Sequence, residues 1–576
     1  MKGGVLRACV AVVLGVSALW VAATLHQVGQ TRYFTVDEYQ FGHASWLVSE
    51  GHVPYVDFYE HHWPAQYVLH APLVAGDAPF PDRALRLRSA AFAWQVLLAL
   101  ALGVATGVVL RDPLAGLLAA QLPLAFGFSA LSAVDYRADN FAGVAWLVCL
   151  SLLEVGRRRP SAARAATAGA LLAVAVLSTQ KLALIGGVPV AVWLLRDRLR
   201  SDAVPCVTTP AAFLAGGAVV TGGALLAAAG LGMLGPGFEA TVRHAFGHED
   251  LYPAVSLGSF VAPFWSETWP STLVWLGLAA VGLATRAGRF LALPLLVALA
   301  VGLSIRGRFP YNYLVPCVLG GVLAARGVAW AAARAPSRWA PLVYLLPLLL
   351  LPDQLGFVQG RTSNAHQLHV LAKIERHTGP GDVVVDDAGG ALFRDHASHV
   401  WYHGPAHRAV MADHFEHQFP LDLRASRAPF WIRDFRFKGL PEPSRRYLLD
   451  HYARADGWLY ALGFVVPAAD EPVRRTIDVV RAGTWFAYPA PGGRVAPQGF
   501  AEGVAVDGRP VGAAGVVLGE GPHTLTAPAG GAPLVLTPHA RQVFLDRFER
   551  MRPYALLFEY ERKPGRAWRD RTLLTP

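Results

Sequence analysis

The sequence predicts an α-helical polytopic membrane protein followed by a C-terminal region of soluble character, and three observations carry this prediction. Only 16% of the 576 residues are charged, whereas about a quarter are charged in a soluble globular chain. The long apolar runs all lie within residues 1–355. Arginines collect in alternate short connections between these runs. A chain of this kind buries its surface in lipid.

The membrane half contains eleven apolar segments, each near the roughly 20 residues with which a helix crosses the hydrocarbon core. The first is longer than the apolar core of about 7–15 residues in a cleaved signal peptide, so we expect it to be retained. The segments are 8–25, 89–110, 113–131, 140–156, 163–178, 182–196, 211–234, 271–285, 290–305, 310–325 and 339–356.

The arginines predict an orientation for these segments. Every second connection holds them, beginning with Arg111 and Arg157–Arg159. The positive-inside rule then places the N-terminus in the cytoplasm of a multi-pass plasma-membrane protein and the C-terminal region outside the cytoplasm. The same placement accounts for the net charge of +10, so we expect no nucleic-acid partner. Four cations on the opposite side break the rule and become candidates for function: Arg137, Lys181, Arg306 and Arg308.

The sequence indicates three parts. Residues 1–356 form the transmembrane domain, with a first exterior loop at 31–88. Residues 357–465 are expected to form an α/β region, because a helical pattern over 363–377 precedes the strand Val383–Val385. Residues 466–576 alternate short strands with Gly-rich turns, which predicts a β-sandwich. The four cysteines all lie in the membrane half, so the C-terminal half must be stabilised without disulfides.

The first exterior loop holds an unusual concentration of ionisable side chains. Residues 35–67 carry five acids and four histidines, with helices expected at 36–50 and 59–74. Charged groups beside a bilayer are costly and usually functional. The acids Asp37, Glu38, Asp57 and Glu60 are among them.

The loop resembles the first exterior loop of the GT-C glycosyltransferases, in the protein O-mannosyltransferase and aminoarabinose-transferase-like group (glycosyltransferase 39/83-like). Asp37-Glu38 follows the first apolar segment and precedes a Gly-x-x-Pro-Tyr-x-Asp-Phe segment at 51–58. The resemblance covers residues 1–355 and implies that Asp37 is a general base or orients the acceptor hydroxyl, with Glu38 beside it. A carboxylate at hydrogen-bond distance can take the hydroxyl proton. The alternative is that Asp37 only caps a helix.

The segment Asp135–Asn140 is similar to the family's Arg-Pro-Asp segment, with Ala138 in the place of proline. The resemblance implies that Arg137 holds a phosphate and that Asp139 is a second acid. A helix-end ion pair between Arg137 and Asp139 is the alternative.

Further cations resemble the family's donor-binding segment. Lys181 follows the fifth apolar segment, and Arg306, Arg308 and Tyr313 precede Pro316. This pattern is similar to Arg-x-x-x-Tyr-x-x-Pro, which is implied to hold the phosphate of a lipid donor. Arginine binds phosphate in bidentate fashion and lysine as a point charge. An interfacial anchor of arginine and tyrosine is the alternative.

The remaining polar residues of the loop are expected to contact substrate. Tyr55, Asp57, His61 and His62 are candidates for hydrogen bonds to sugar, with loop packing as the alternative. No pair among His43, His52, His61, His62 and His70 shows the His-x-x-x-His spacing with an adjacent Glu that zinc enzymes use. We therefore expect no cofactor and no metal, although a divalent ion bound by histidines or by Asp37 and Asp139 stays open.

The preferred function is transfer of a sugar, with inversion, from a polyprenyl-phosphate carrier to an extracytoplasmic lipid, glycan or protein acceptor. A transporter or flippase of a phosphorylated lipid or sugar is the alternative, but such proteins usually show internal repeats or charges at the bilayer midplane. A membrane-anchored sugar-binding protein ranks last, because eleven spans exceed what an anchor needs.

Overall fold

A computed structural model describes residues 2–125, 130, 133–158, 160–195, 208–243, 256–285, 288–304, 310–356 and 363–548. Within these ranges, residues 2–356 are helical apart from their connections, and the strands of three sheets all lie after residue 380. A helical membrane half and a strand-rich C-terminal half are therefore confirmed.

The first part of the membrane half contains two helices of about 30 residues, separated by two short ones. The bounds are α1 Lys2–Thr31, α2 Val36–Ser49, α3 Ala65–Val74, α4 Phe80–Leu110, α5 Pro113–Ala125, α6 Ala138–Arg158, α7 Ala162–Ser178, α8 Leu182–Ile185 and α9 Gly187–Leu195.

The second part continues with α10 Thr208–Gly230, α11 Leu234–Phe238, α12 Leu257–Ala284, α13 Ala292–Ser304, α14 Leu314–Ala332 and α15 Leu351–Gly356, with a 3₁₀ helix at Ala340–Leu350. In the described ranges, five helices are long and apolar enough to cross a membrane, within α1, α4, α6, α10 and α14. Six shorter apolar helices lie in the other predicted segments. The number of spans stays a prediction.

Small residues bring the membrane helices close together. A Cβ at Gly169 of α7 would collide with the carbonyl oxygen of Phe213 in α10. Gly282 of α12 lies in the same way against the carbonyl oxygen of Leu323 in α14. Small residues at such crossings let helix backbones pack in lipid, where apolar burial provides little driving force.

Residues 32–79, which we call the first loop region, contain α2 and α3. A capping box starts α2: the backbone N–H of Thr35 donates to Glu38 Oε2 at 2.8 Å. The second helix begins at Ala65, six residues later than the sequence predicts. Before it, the backbone N–H groups of His61 and His62 donate to the Glu60 carboxylate at 2.8 and 3.1 Å, which holds this stretch as a loop.

The C-terminal half begins with a five-stranded mixed sheet. Its strands are β1 Val383–Val385, β2 Asp395–His396, β3 Phe430–Ile432, β4 Tyr452–Asp456 and β5 Leu459–Leu462, in the order β2-β1-β3-β5-β4. The strands β2, β1 and β3 run parallel, and β5 and β4 are antiparallel additions. The helices of this part are α16 Ala365–His377, α17 Pro405–Val410, α18 Phe419–Ser426 and α19 Glu442–His451.

Two four-stranded antiparallel sheets follow. The strands are β6 Phe464–Val466, β7 Val473–Val479, β8 Gly483–Pro489, β9 Ala505–Val506, β10 Arg509–Pro510, β11 Val516–Leu518, β12 Gly521–Ala527 and β13 Leu534–Thr537, and α20 Gln542–Leu545 comes last. The sheet orders are β10-β9-β12-β7 and β11-β8-β13-β6. Their buried side chains share one core with the five-stranded sheet, as Trp431 and Trp485 illustrate.

The C-terminal half packs directly on the first loop region. One hydrophobic cluster contains Phe41 and Tyr67 of that region together with Leu392 and Trp401. A Cβ on Gly42 would lie 2.9 Å from a methyl carbon of Leu392. The α/β part therefore covers the polar residues of the first loop region.

Candidate active site under the C-terminal half

Four charged side chains form a continuous series, which we call the charge chain. Arg137 donates from Nη1 to Asp37 Oδ2 and from Nε to Asp139 Oδ2, the latter at 3.3 Å. Lys181 Nζ lies 2.5 Å from Asp139 Oδ1 and also donates to Asn312 Oδ1 at 3.2 Å. The helix-end pair of Arg137 and Asp139 exists, but it is one link of this longer chain.

Separate elements bring the charge chain together. Asp37 lies in the first turn of α2 and Asp139 in the first turn of α6, where a negative charge interacts favourably with the helix dipole. Lys181 lies between α7 and α8, and Asn312 lies in the 3₁₀ turn Pro310–Tyr313. The site is therefore a product of the tertiary fold.

The two ends of the charge chain are more open than its middle. The side chains of Asp37 and Lys181 are 24% and 21% exposed, against 6% for Arg137 and 8% for Asp139. Burial alone would raise the pKa of Asp37, but the adjacent Arg137 guanidinium outweighs it and holds the pKa below its ordinary value. Asp37 is therefore an ionised carboxylate at neutral pH and is partly accessible.

Glu38 has a different environment from its neighbour. Arg88 donates to both of its carboxylate oxygens at 2.7 Å, and the backbone N–H of Tyr136 adds a bond of 2.9 Å. Its side chain is 1% exposed. The capping box belongs to Thr35 and Glu38, so Asp37 is not the capping residue of α2. We therefore retain Asp37 as the candidate base and interpret Glu38 as the residue that positions it.

The segment before α6 is fixed from three sides. Arg32 of the segment after α1 pairs with Asp135 at 3.0 Å, and Ser45 of α2 shares a 3.0 Å hydrogen bond with the Tyr136 hydroxyl. Gln95 of α4 donates to Asn140 Oδ1 at 2.5 Å. These contacts hold Arg137 in place despite the alanine at position 138.

His61 and His62 lie beside the charge chain. His62 Nδ1 is 3.0 Å from Glu60 Oε1, and its ring contacts Phe41 edge to face. The His61 carbonyl accepts a hydrogen bond of 2.9 Å from Gln180, which precedes Lys181. Burial and the neighbouring His61 lower the pKa of His62, so His62 is neutral near pH 7.

The other predicted site residues have structural contacts or lie outside the described ranges. Asp57 accepts from the backbone N–H of Val53 at 2.6 Å, and the Tyr55 hydroxyl donates to the His62 carbonyl at 2.5 Å. Tyr313 is buried, and its hydroxyl donates to the Gly302 carbonyl at 3.2 Å. Arg306 and Arg308 lie outside the described residues, so the donor role given to them stays a prediction.

The C-terminal half supplies side chains that the sequence analysis missed. His407 Nε2 lies 3.1 Å from His61 Nδ1, and the Tyr402 ring contacts both histidines. The Arg436 guanidinium lies 5.0 Å from the centre of the Tyr402 ring and pairs with Asp434 at 2.5 Å. Burial raises the pKa of Asp434 to about 6 in spite of this pair. Nothing in the sequence pattern links these residues to the first loop region.

The helical membrane half, the loop helices beside it and the C-terminal covering region define the GT-C fold of polytopic membrane proteins. The solved structure of ArnT from Cupriavidus metallidurans in the apo state matches with a TM-score of 0.53 at 15% identity, covering 78% of this chain and 97% of that chain. ArnT of the same organism bound to undecaprenyl phosphate gives a TM-score of 0.48 at 15% identity, over 66% and 84% of the two chains.

A zinc and sulfate complex of the Archaeoglobus fulgidus oligosaccharyltransferase gives a TM-score of 0.49 at 14% identity, over 77% of this chain and 71% of that chain. No family model matches the sequence, and no curated protein matches it significantly. The predicted fold class is confirmed.

Proposed function

We propose that the chain is a membrane glycosyltransferase that moves a sugar from a polyprenyl-phosphate carrier to a hydroxyl group of an extracytoplasmic acceptor. The observation that carries this proposal is the charge chain, in which a partly exposed carboxylate lies beside two cations at the ends of apolar helices. A polyprenyl-phosphate donor presents its phosphate at that level of the membrane.

In the proposed reaction, Asp37 takes the proton of the acceptor hydroxyl as its oxygen attacks the anomeric carbon. The bond from that carbon to the phosphate oxygen breaks, and the electron pair stays on the phosphate. Arg137 and Lys181 then offset the added negative charge by charge-assisted hydrogen bonds. Attack opposite to the leaving phosphate inverts the anomeric configuration.

The class of carrier is also part of the proposal. ArnT from C. metallidurans binds undecaprenyl phosphate, and we extend a carrier of this class to the present chain because both share the GT-C fold. The predicted extracytoplasmic position of the first loop region places the acceptor on the same side. Mass spectrometry of cell-envelope glycans, with and without the intact gene, would identify the sugar.

The proposal is tested with the purified full chain and a polyprenyl-phosphate-linked sugar. Asp37→Asn keeps the side-chain shape but removes proton acceptance, so transfer should fall by about 10²–10⁴-fold while donor binding persists. Asp77→Asn is the matched control, because Asp77 is an exposed aspartate of the same loop region. Undiminished transfer by the Asp37→Asn protein would contradict the assignment. Movement of the lipid across a bilayer without transfer would favour the transporter alternative.

A further inference from the structure

A second cluster of polar atoms lies next to the charge chain, in the loop before α3. It consists of Gln40, Glu60, His61 and His62, which we call the Glu60 cluster. Glu60 Oε1 lies 3.3 Å from His61 Nδ1 and 3.0 Å from His62 Nδ1. Gln40 Nε2 lies 2.7 Å from Glu60 Oε1, 3.2 Å from His61 Nδ1 and 3.3 Å from His62 Nδ1. The Glu60 and histidine atoms all lie within 4.8 Å of one another.

The cluster brings several ligand-type atoms together around one glutamine amide. Gln40 Nε2 has two hydrogens and lies within 3.3 Å of Glu60 Oε1, His61 Nδ1 and His62 Nδ1. A proton on His62 Nδ1, donated to Glu60, would satisfy these contacts without an ion, so this hydrogen-bond network is the alternative that the test must exclude. Glu60 Oε1 already accepts from two backbone N–H groups. The Glu60 side chain is fully buried. Among the described residues its other oxygen has no partner at hydrogen-bond geometry, although the Tyr67 hydroxyl interacts with this carboxylate. A buried carboxylate with an incompletely satisfied oxygen is able to bind a cation.

The distances within the cluster match the edges of a small tetrahedron. Ligands at about 2.0–2.1 Å from a tetrahedral zinc ion are about 3.3 Å from one another. We propose that Gln40, Glu60, His61 and His62 bind a divalent transition-metal ion, with zinc the best fit. The amide oxygen and nitrogen of glutamine are assigned from their surroundings, and the reversed orientation of Gln40 presents its oxygen as the fourth ligand.

The chemistry of the donor set favours zinc over magnesium or calcium. Two imidazoles and a carboxylate suit zinc and its transition-metal neighbours, whereas magnesium and calcium require oxygen ligands throughout.

An ion at this position would join α2, the loop before α3 and the C-terminal half at one point. Gln40 lies on α2, one helical turn after Asp37, and Glu60 to His62 belong to the loop before α3. His407 of the C-terminal half lies against His61. The ion therefore fixes the loop relative to the helix that carries the candidate base. This inference concerns ion binding and does not depend on the proposed transfer reaction.

The test uses the full chain without a polyhistidine tag, stripped by a chelator and titrated with zinc by calorimetry. We expect one ion per chain, and His62→Ala and Glu60→Gln should each weaken binding more than about 10-fold. His52→Ala is the matched control, because His52 is a half-buried histidine of the same loop region outside the cluster. Cobalt substitution should give the intense visible absorption of a tetrahedral site, and His62→Ala should remove it.

Two outcomes would overturn the inference. One is zinc binding by His62→Ala and Glu60→Gln with the affinity of the unmodified chain, which places any ion elsewhere. The other is the absence of stoichiometric binding by the unmodified chain. Zinc should also raise the thermal unfolding temperature of the unmodified chain but not of His62→Ala. That comparison separates loss of the ion from loss of folding.

Discussion

Replacing Glu38 by glutamine should destabilise the first loop region rather than act on the reaction itself. The glutamine keeps the shape of the side chain but removes the charge that faces Arg88. Its amide nitrogen would also present hydrogens to donors, because Arg88 and the backbone of Tyr136 all donate to this carboxylate. Arg88 itself is fully buried. The change therefore leaves a buried cation with incomplete compensation.

The expected magnitude follows from that burial. Removing one partner of a buried ion pair typically costs about 3–5 kcal/mol. With roughly 1.4 kcal/mol for each tenfold change in an equilibrium constant, the population of the opened region should rise by roughly 10²–10⁴-fold. Arg88 retains hydrogen bonds to the carbonyl groups of Gly29, Arg32 and Tyr33, which places the expected loss at the lower end of this range.

The assay is native-state proteolysis of the detergent-solubilised chain, in which cleavage in the first loop region follows the population of the opened form. Glu50→Gln is the control, since Glu50 is exposed at the end of the same helix and such changes stay within about 0.5 kcal/mol. Arg88 holds the pKa of Glu38 below its ordinary value of 4.5, although burial opposes it. The stability that Glu38 contributes is therefore present above pH 4.5 and is lost as the pH falls through the folded-state pKa. Below that pH, the difference in cleavage rate between the Glu38→Gln chain and the unmodified chain should become smaller.

A Glu38→Gln chain as resistant to protease as the unmodified chain, yet unable to transfer sugar, would refute this reasoning. That result would indicate that Glu38 acts in the reaction itself as a catalytic acid. Unchanged stability together with unchanged transfer would show that Glu38 has neither a stabilising nor a catalytic role.

Three further predictions concern the donor, the topology and the C-terminal half. Lys181→Ala should weaken binding of the polyprenyl-phosphate donor by about 10–100-fold, because a charged hydrogen bond contributes about 1.5–3 kcal/mol. Lys438 is an exposed lysine, and Lys438→Ala should leave donor binding unchanged in the same lipid-binding assay. Protease added to intact spheroplasts should remove the chain after residue 360, and full protection would overturn the predicted orientation. Residues 363–548, which keep the three sheets and the core that they share, should fold without metal or disulfide and give a circular dichroism spectrum of mixed helix and strand, and an unfolded spectrum would contradict a separately folding C-terminal half.

Local patterns in the sequence predict much of this fold. Hydrophobic length locates the membrane helices, and strand Val383–Val385 has the predicted bounds. The start of α3 is different, because Pro64 and the bonds to Glu60 delay it to Ala65. Such bonds depend on where a carboxylate points once the chain is folded, which hydrophobic periodicity does not indicate.

The site is predicted less completely, because the sequence indicates some of its residues but not the contacts that they make. The motif order indicates Asp37, Arg137, Asp139 and Lys181, which the fold brings together. It does not reveal that Glu38 pairs with Arg88, fifty residues further along the chain. The Glu60 cluster is equally hidden, because its residues lie on a helix and on a later loop rather than at a regular spacing along one helix.

Under the proposed function, the charge chain has a consequence for the kind of phosphate that it would bind. With two carboxylates and two cations, it carries no net charge, so an arriving phosphate must compete with Asp37 and Asp139 for Arg137 and Lys181. Free phosphate in solution competes poorly under those conditions. A phosphate tethered to a lipid is confined to the membrane surface and reaches a high effective concentration there. A neutral charge chain attracts neither phosphate strongly, so under the proposed function tethering to the membrane would favour the lipid carrier over the soluble anion before any part of the sugar is recognised.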